Sequence, residues 1–141
     1  MSGDKIGNTT CHCLKIRRGA AAVVNFYDGI LKPSGVTVRQ YSLLHAINEH
    51  EGCNLRELSE VTELDRSTLT RNLKPLLSQE FLVNAKKDNQ RDSRLILTAK
   101  GFRTLQQAAQ LWQRAQSEFE AKIGAERLAI LEEILAAIQK P

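Results

Sequence analysis

Between Arg66 and Gln79 the sequence offers hydrogen-bond donors and not one carboxylate. On a helix, Ser67, Thr70, Arg71 and Lys74 fall at i, i+3, i+4 and i+7 and share a face, while Leu69, Leu73 and Leu76 share the opposite one. A face of that kind suits anionic oxygens and acceptor-rich base edges. The Arg71 guanidinium can bond O6 and N7 of one guanine, and Ser67, Thr68 and Thr70 can make short contacts to bases or phosphates. Arg66 and Lys74 are candidate phosphate anchors. A second basic group follows, which includes Arg91 and Arg94. From Asp65 to Lys100 eight basic residues stand against four acidic ones, so the whole net charge of +4 lies in about a quarter of the chain. A localised excess of this kind is the electrostatic footprint of a phosphate-backbone binder.

Other chemistries find less support. The sequence has no Gly-rich phosphate loop and no nucleophile elbow, and His12, His45 and His50 have no evident acid or nucleophile partner, so an enzyme is not expected. Cys11, His12 and Cys13 are too close together to converge on one ion, and neither a cofactor nor a metal is expected. Three cysteines form no even framework, which fits free thiols in a reducing compartment. No apolar run approaches the roughly 20 residues of a membrane span, and no export signal is recognised. The expectation is a cytoplasmic protein without membrane contact.

Capping residues and hydrophobic periodicity indicate what positions the basic groups. Residues 1–9 read as a loose tail. From Thr10, a candidate N-cap, Leu14, Ala20, Val24, Tyr27 and Leu31 recur at helical spacing until Pro33 and Gly35. Thr37 and Gln40 form a capping box before a stripe of Val38, Tyr41, Leu44 and Ile47. Asn54 and Glu57 open a short helix with Leu55, Leu58 and Val61 inward. Asp65 then caps the helix of donors, which Pro75 is expected to kink. Residues 81–85 and 94–97 read as two strands around a charged loop. Thr98 caps a long helix with Phe102, Leu105, Ala108, Trp112, Ala115, Phe119 and Ile123 on one side. Gly124 ends it, and a last helix carries Leu128, Leu131, Ile134, Leu135 and Ile138. The order helix, helix, recognition helix, ribbon is that of a winged helix-turn-helix, in a mainly α (α+β) fold. Residues 36–98 form this unit. The helices of 10–35 and 99–141 carry more apolar surface than it can cover, which predicts a homodimer built from both chain ends.

The stretch Leu64-Asp65-Arg66-Ser67-Thr68-Leu69-Thr70-Arg71-Asn72-Leu73-Lys74-Pro75-Leu76, followed by Leu97-Thr98-Ala99-Lys100-Gly101, resembles the MarR family of bacterial regulators. The resemblance runs from about Cys13 to Ile138. It implies a triangular dimer whose two winged lobes read a pseudo-palindromic operator in double-stranded DNA. It also implies a repressor released by a small phenolic or aromatic effector, or by an oxidant. The wing of that family commonly carries Asp-x-Arg. Here Asn89-Gln90-Arg91 keeps the arginine without the acid, leaving Asp88 and Asp92 as candidates to orient it.

Two switches are consistent with the resemblance. Cys13 matches a reactive cysteine of the family's peroxide-sensing branch and Tyr27 one of the tyrosines that hold it, with Cys11 nearby as a resolving thiol. Arg17 stands where that branch has a second tyrosine. Alternatively Arg17, Tyr27, Tyr41 and His45 line a ligand cleft between the dimer helices and the DNA-binding lobe. A winged-helix module that binds protein rather than DNA is the competing class, since fold alone does not fix function.

Overall fold

The computed structural model describes residues 11–141; the expected tail at 1–9 and the Thr10 cap lie outside them. Helix α1 spans His12–Leu31, and its N-cap is Cys11, whose side chain makes no capping bond. A 3-10 turn over Lys32–Ser34 contains Pro33, and Gly35 at φ 83° turns the chain in the left-handed region where a side chain would be strained. Helix α2 (Val38–Glu49) begins with the expected box, Thr37 Oγ1 accepting from Gln40 N–H at 3.1 Å and Gln40 Oε1 from Thr37 N–H at 2.9 Å. Asp28 of α1 adds to that cap by accepting from Val38 N–H at 2.8 Å.

Helix α3 (Leu55–Thr62) has its own box from Asn54 and Glu57, and Glu63 ends it in the left-handed conformation. Leu58 is fully buried there, whereas Val61 is exposed, contrary to its assignment inward. Asp65 caps α4 (Arg66–Ser78), accepting from Thr68 N–H at 2.8 Å. The helix continues through Pro75, which lies on the exposed side. Leu69, Leu73 and Leu76 are buried as the periodicity requires. Each is worth about 1.5–3 kcal/mol relative to exposure.

The ribbon pairs β1 (Leu82–Asn84) with β2 (Leu95–Leu97) in antiparallel register, Leu82 opposite Leu97 and Asn84 opposite Leu95. Both strands are shorter than the alternation suggests. A bridge from Cys53 to Leu95 gives β2 a second neighbour, secured by Gly52 N–H to Leu95 O and Leu95 N–H to Cys53 O, both at 2.9 Å. This third piece was not foreseen, and it buries Cys53.

Helix α5 (Ala99–Ile123) starts at a dense junction. Thr98 Oγ1 donates to the Glu80 carbonyl at 2.6 Å and accepts from Gly101 N–H at 3.0 Å, and Thr98 N–H donates to Phe81 O at 3.1 Å. Lys100 Nζ reaches the Gln79 carbonyl at 2.8 Å and lies 4.9 Å from the Phe81 ring centre, closing the C-terminal end of α4. Leu105, Ala108 and Ala115 are buried along α5, but Phe102 is exposed. Helix α6 (Ala125–Gln139) has no buried residue in the single chain. In α1 only Leu31 is buried. Beyond Leu31, the stripes assigned to these two helices are only partly covered by their own chain.

A Cβ built on Gly101 would stand 1.8 Å from the Phe81 carbonyl oxygen. Alanine gains roughly 1 kcal/mol of helix propensity over glycine, but a clash with backbone cannot be relieved by turning a side chain. The clash should win: Gly101→Ala is expected to cost about 3 kcal/mol net. Thermal unfolding followed by circular dichroism should show Tm lower by roughly 10 °C; a Tm equal to or above that of the unaltered chain would disprove the close approach.

Candidate nucleic-acid interface

The leucine face of α4 fixes which side chains point outward. Arg66, Ser67, Thr70, Arg71 and Lys74 are exposed, while Thr68 is half-buried. Several are already engaged locally. Ser67 Oγ donates to Asp65 Oδ1 at 3.0 Å, Thr70 Oγ1 donates back to the Arg66 carbonyl at 2.9 Å, and Arg71 Nη2 donates to Thr68 Oγ1 at 3.2 Å. The Arg71–Thr68 bond steadies a long cation at little cost, since the guanidinium keeps other donors for an acceptor outside the protein. The backbone N–H of Thr68, and then the hydroxyls of Ser67 and Thr68, hold the Asp65 carboxyl below its ordinary value.

The loop at the ribbon's end is shaped by amide side chains. Asn84 Oδ1 accepts from Arg94 N–H at 2.9 Å and Lys86 N–H at 3.3 Å, and Gln90 Oε1 accepts from Lys87 N–H at 2.9 Å. Among the described residues the lysine or arginine ion pair with a carboxylate is Arg114–Glu118, and His45 Nε2 lies 3.9 Å from Glu49 Oε1. Neither Asp88 nor Asp92 therefore pairs with Arg91, which corrects the expectation that one of them orients it. The Arg94 side chain lies over Gly52, where an added Cβ would meet its Nε at 3.2 Å. Lys100 serves the end of α4 rather than the exposed basic surface.

Arg66 and Arg91 meet in a cleft of about 640 Å³ between α3, the start of α4 and the ribbon. Lys86 and Arg56 complete its basic lining. Sequence reasoning missed Arg56 because Glu57 and Glu60 neutralise its neighbourhood along the chain. Its one local signal is position: an arginine in a helix's first turn opposes the positive end of the helix. Arg94 instead borders an adjoining cleft of about 330 Å³ with Gly52 and Glu57. Arg71 also edges a smaller cleft, about 220 Å³, with Asp28 of α1 and Arg39 of α2.

Known proteins share this arrangement. The transcriptional regulator MosR of M. tuberculosis, solved in complex with DNA, is 32% identical, with a TM-score of 0.72 over 92% of this chain and 99% of MosR. A model of the MarR family matches residues 34–95. The chain belongs to the MarR family. SarZ of Staphylococcus epidermidis, an HTH-type transcriptional regulator, is 29% identical over 90 residues, which span 63% of this chain and 61% of SarZ. A mutant of MarR from E. coli, solved with operator DNA, has a TM-score of 0.81 at 24% identity and shares the winged-helix fold. MosR and SarZ are transcriptional regulators. The junction motif from Leu97 to Gly101, on which the resemblance partly rested, has its physical basis in the contacts of Thr98, Lys100 and Gly101.

In this MarR-family chain the candidate switch residues are spread out. Cys11, Cys13 and Arg17 are exposed at the start of α1, and Cys53 is buried, where burial and then the Glu57 charge push its thiol up. Tyr27 stands about 21 Å further along α1 from Cys13 at 1.5 Å per residue. Its hydroxyl donates to Gln116 Oε1 at 2.5 Å, and burial followed by the Glu120 charge raises its pKa. The Tyr41 ring stacks with those of His45 and Trp112, whose centroids lie 6.0 and 5.9 Å away. Arg17, Tyr27, Tyr41 and His45 line none of the clefts described above.

The Asp65 cap gives a pH prediction. Because the folded carboxyl titrates lower than the unfolded one, its stabilising effect is complete above the ordinary pKa of about 4 and is lost as pH falls through the folded value. Asp65→Asn should therefore be less stable than the unaltered chain at pH 7, with the gap closing below about pH 4. Urea unfolding at both pH values checks this; a gap that persists in acid would show that the ionised cap is not its source.

Proposed function

We propose that the chain is a sequence-specific, double-stranded-DNA-binding transcriptional regulator that acts as a cytoplasmic homodimer on a pseudo-palindromic operator. The observation that carries this reading is the exposed, acid-free face of α4 beside basic ribbon residues that pair with no carboxylate among the described residues. The α4 face reads the major groove, with Arg71 on a base edge, and Arg91 reaches from the wing toward the minor groove. MosR, a regulator solved with DNA, supports the same reading.

The dimer is assembled from residues 10–35 and 99–141. Ile130, Ile134, Leu135 and Ile138 of α6 are 42–55% exposed, and Ile16 of α1 is 52% exposed. Covering what remains of each such side chain returns on the order of 1 kcal/mol, so a second copy is strongly favoured. Two lobes held at fixed spacing select two half-sites, which is why the operator is expected to be palindromic.

The chain acts as a repressor whose release follows oxidation of Cys13 or binding of a small aromatic effector. The exposed thiols of Cys11 and Cys13 favour oxidation, whereas Tyr41 is buried and packed against two other rings. Peroxide would turn the Cys13 thiolate into a sulfenic acid, with the second peroxide oxygen leaving as water after protonation. The modified α1 end must favour a lobe spacing unsuited to DNA, because a change felt equally in both states switches nothing.

Selection of random duplexes on purified protein should enrich a pseudo-palindrome whose affinity falls steeply with salt. Arg71→Ala should lose about 1–3 kcal/mol and relax one base position in each half-site. No enrichment, with weak binding at low salt, would hand the fold to a protein partner. In a gel-shift assay the unaltered protein should leave its operator on peroxide treatment while Cys13→Ser stays bound; equal release of both would remove the thiol switch.

A further inference from the structure

We propose that the cleft between α3, the start of α4 and the ribbon seats a phosphate of the duplex backbone, and that Arg56 on α3 is a phosphate ligand alongside Arg66, Lys86 and Arg91. This rests on the DNA-binding reading above and extends the interface to a helix outside the recognition helix and wing.

Four cations from three elements line one cleft of about 640 Å³, against the two carboxylates of Glu60 and Asp92. None of the four is in an ion pair with either acid among the described residues, although Glu60 stands one turn after Arg56 on the same helix. An i, i+4 arginine–glutamate neighbour that stays unpaired leaves the guanidinium fork available to another acceptor. Arg56 also occupies the first turn of α3, where the helix's own field disfavours a cation. A local cost of that sort is consistent with a ligand that compensates for it.

The cleft is built rather than incidental. Ser93 Oγ accepts from Leu55 N–H at 3.2 Å, which ties the first residue of α3 to the ribbon loop. The Cys53–Leu95 bridge ties the segment before α3 to β2. Arg56 and Arg91 are thereby held across one opening, and Arg66 enters it from α4. A phosphate seated there would be held by α3, the start of α4 and the ribbon together. The seat neutralises charge without reading a base, so it strengthens binding to every sequence alike.

The test uses the full chain, the selected operator and an unrelated duplex of equal length. Arg56 is exposed, so its replacement leaves the core untouched. Arg56→Ala should weaken both duplexes by the same factor, roughly five- to tenfold at low salt, and flatten the slope of log affinity against log salt by about one per protomer. Arg56→Lys should recover most of the slope. Unchanged affinity and slope in Arg56→Ala, with the unaltered chain still binding its operator steeply, would overturn the phosphate seat and leave the DNA-binding reading intact. A changed base preference at an unchanged slope would overturn it too, by making Arg56 a base reader. If the unaltered chain binds neither duplex, the parent reading fails and the seat with it.

Discussion

Gly101 approaches the Phe81 carbonyl so closely that no side chain fits between them, and three parts of the chain are referenced to that contact. The end of α4, the base of the ribbon and the first turn of α5 converge there. Thr98 bonds Glu80 and Phe81 while capping α5, and Lys100 closes the last turn of α4. The helix presenting the basic face and the helix running into the opposite end of the molecule are thus joined by short, directional bonds. The junction combines one backbone approach, at Gly101, with side-chain bonds from Thr98 and Lys100.

The basic surface follows a different rule. Its cations are held in place without being neutralised. Arg71 leans on a hydroxyl, the ribbon loop is shaped by Asn84 and Gln90, and the nearby acids Asp88, Asp92 and Glu60 are kept out of ion pairs. Uncharged braces leave the field of the arginines intact for a polyanion, whereas carboxylate braces would have to be displaced or overcome. The repulsion among like charges is a modest cost in water, screened beyond a Debye length of about 8 Å.

The remaining architecture concerns burial. The core is built from α2, α4, the ribbon and the middle of α5, and it is complete within one chain. The two ends are not. α6 has no buried residue, and the first half of α1 packs little. Tyr27, Phe26 and Phe119 mark where the covered part of α1 stops, in an aromatic cluster against α5.

Much of this was legible in the sequence because it is local. Caps act over three residues, so Thr37, Asn54, Asp65 and Thr98 announced the helix starts correctly. The 3.6-residue period identified Leu69, Leu73 and Leu76 as buried and thereby set the outward face of α4. The charge count located the basic surface. Tertiary structure decided what depends on residues distant along the chain. Leu95 pairs with Cys53 as well as Asn84, Tyr27 bonds a residue 89 positions away, and Arg56 shares a cleft with Arg91. Val61 and Phe102 sat on apolar stripes yet are exposed, because a stripe says which way a helix faces and not how far its cover extends. Periodicity and capping are properties of a few consecutive residues. Which cation stands opposite which, and which stripe is covered, follow from how the elements pack.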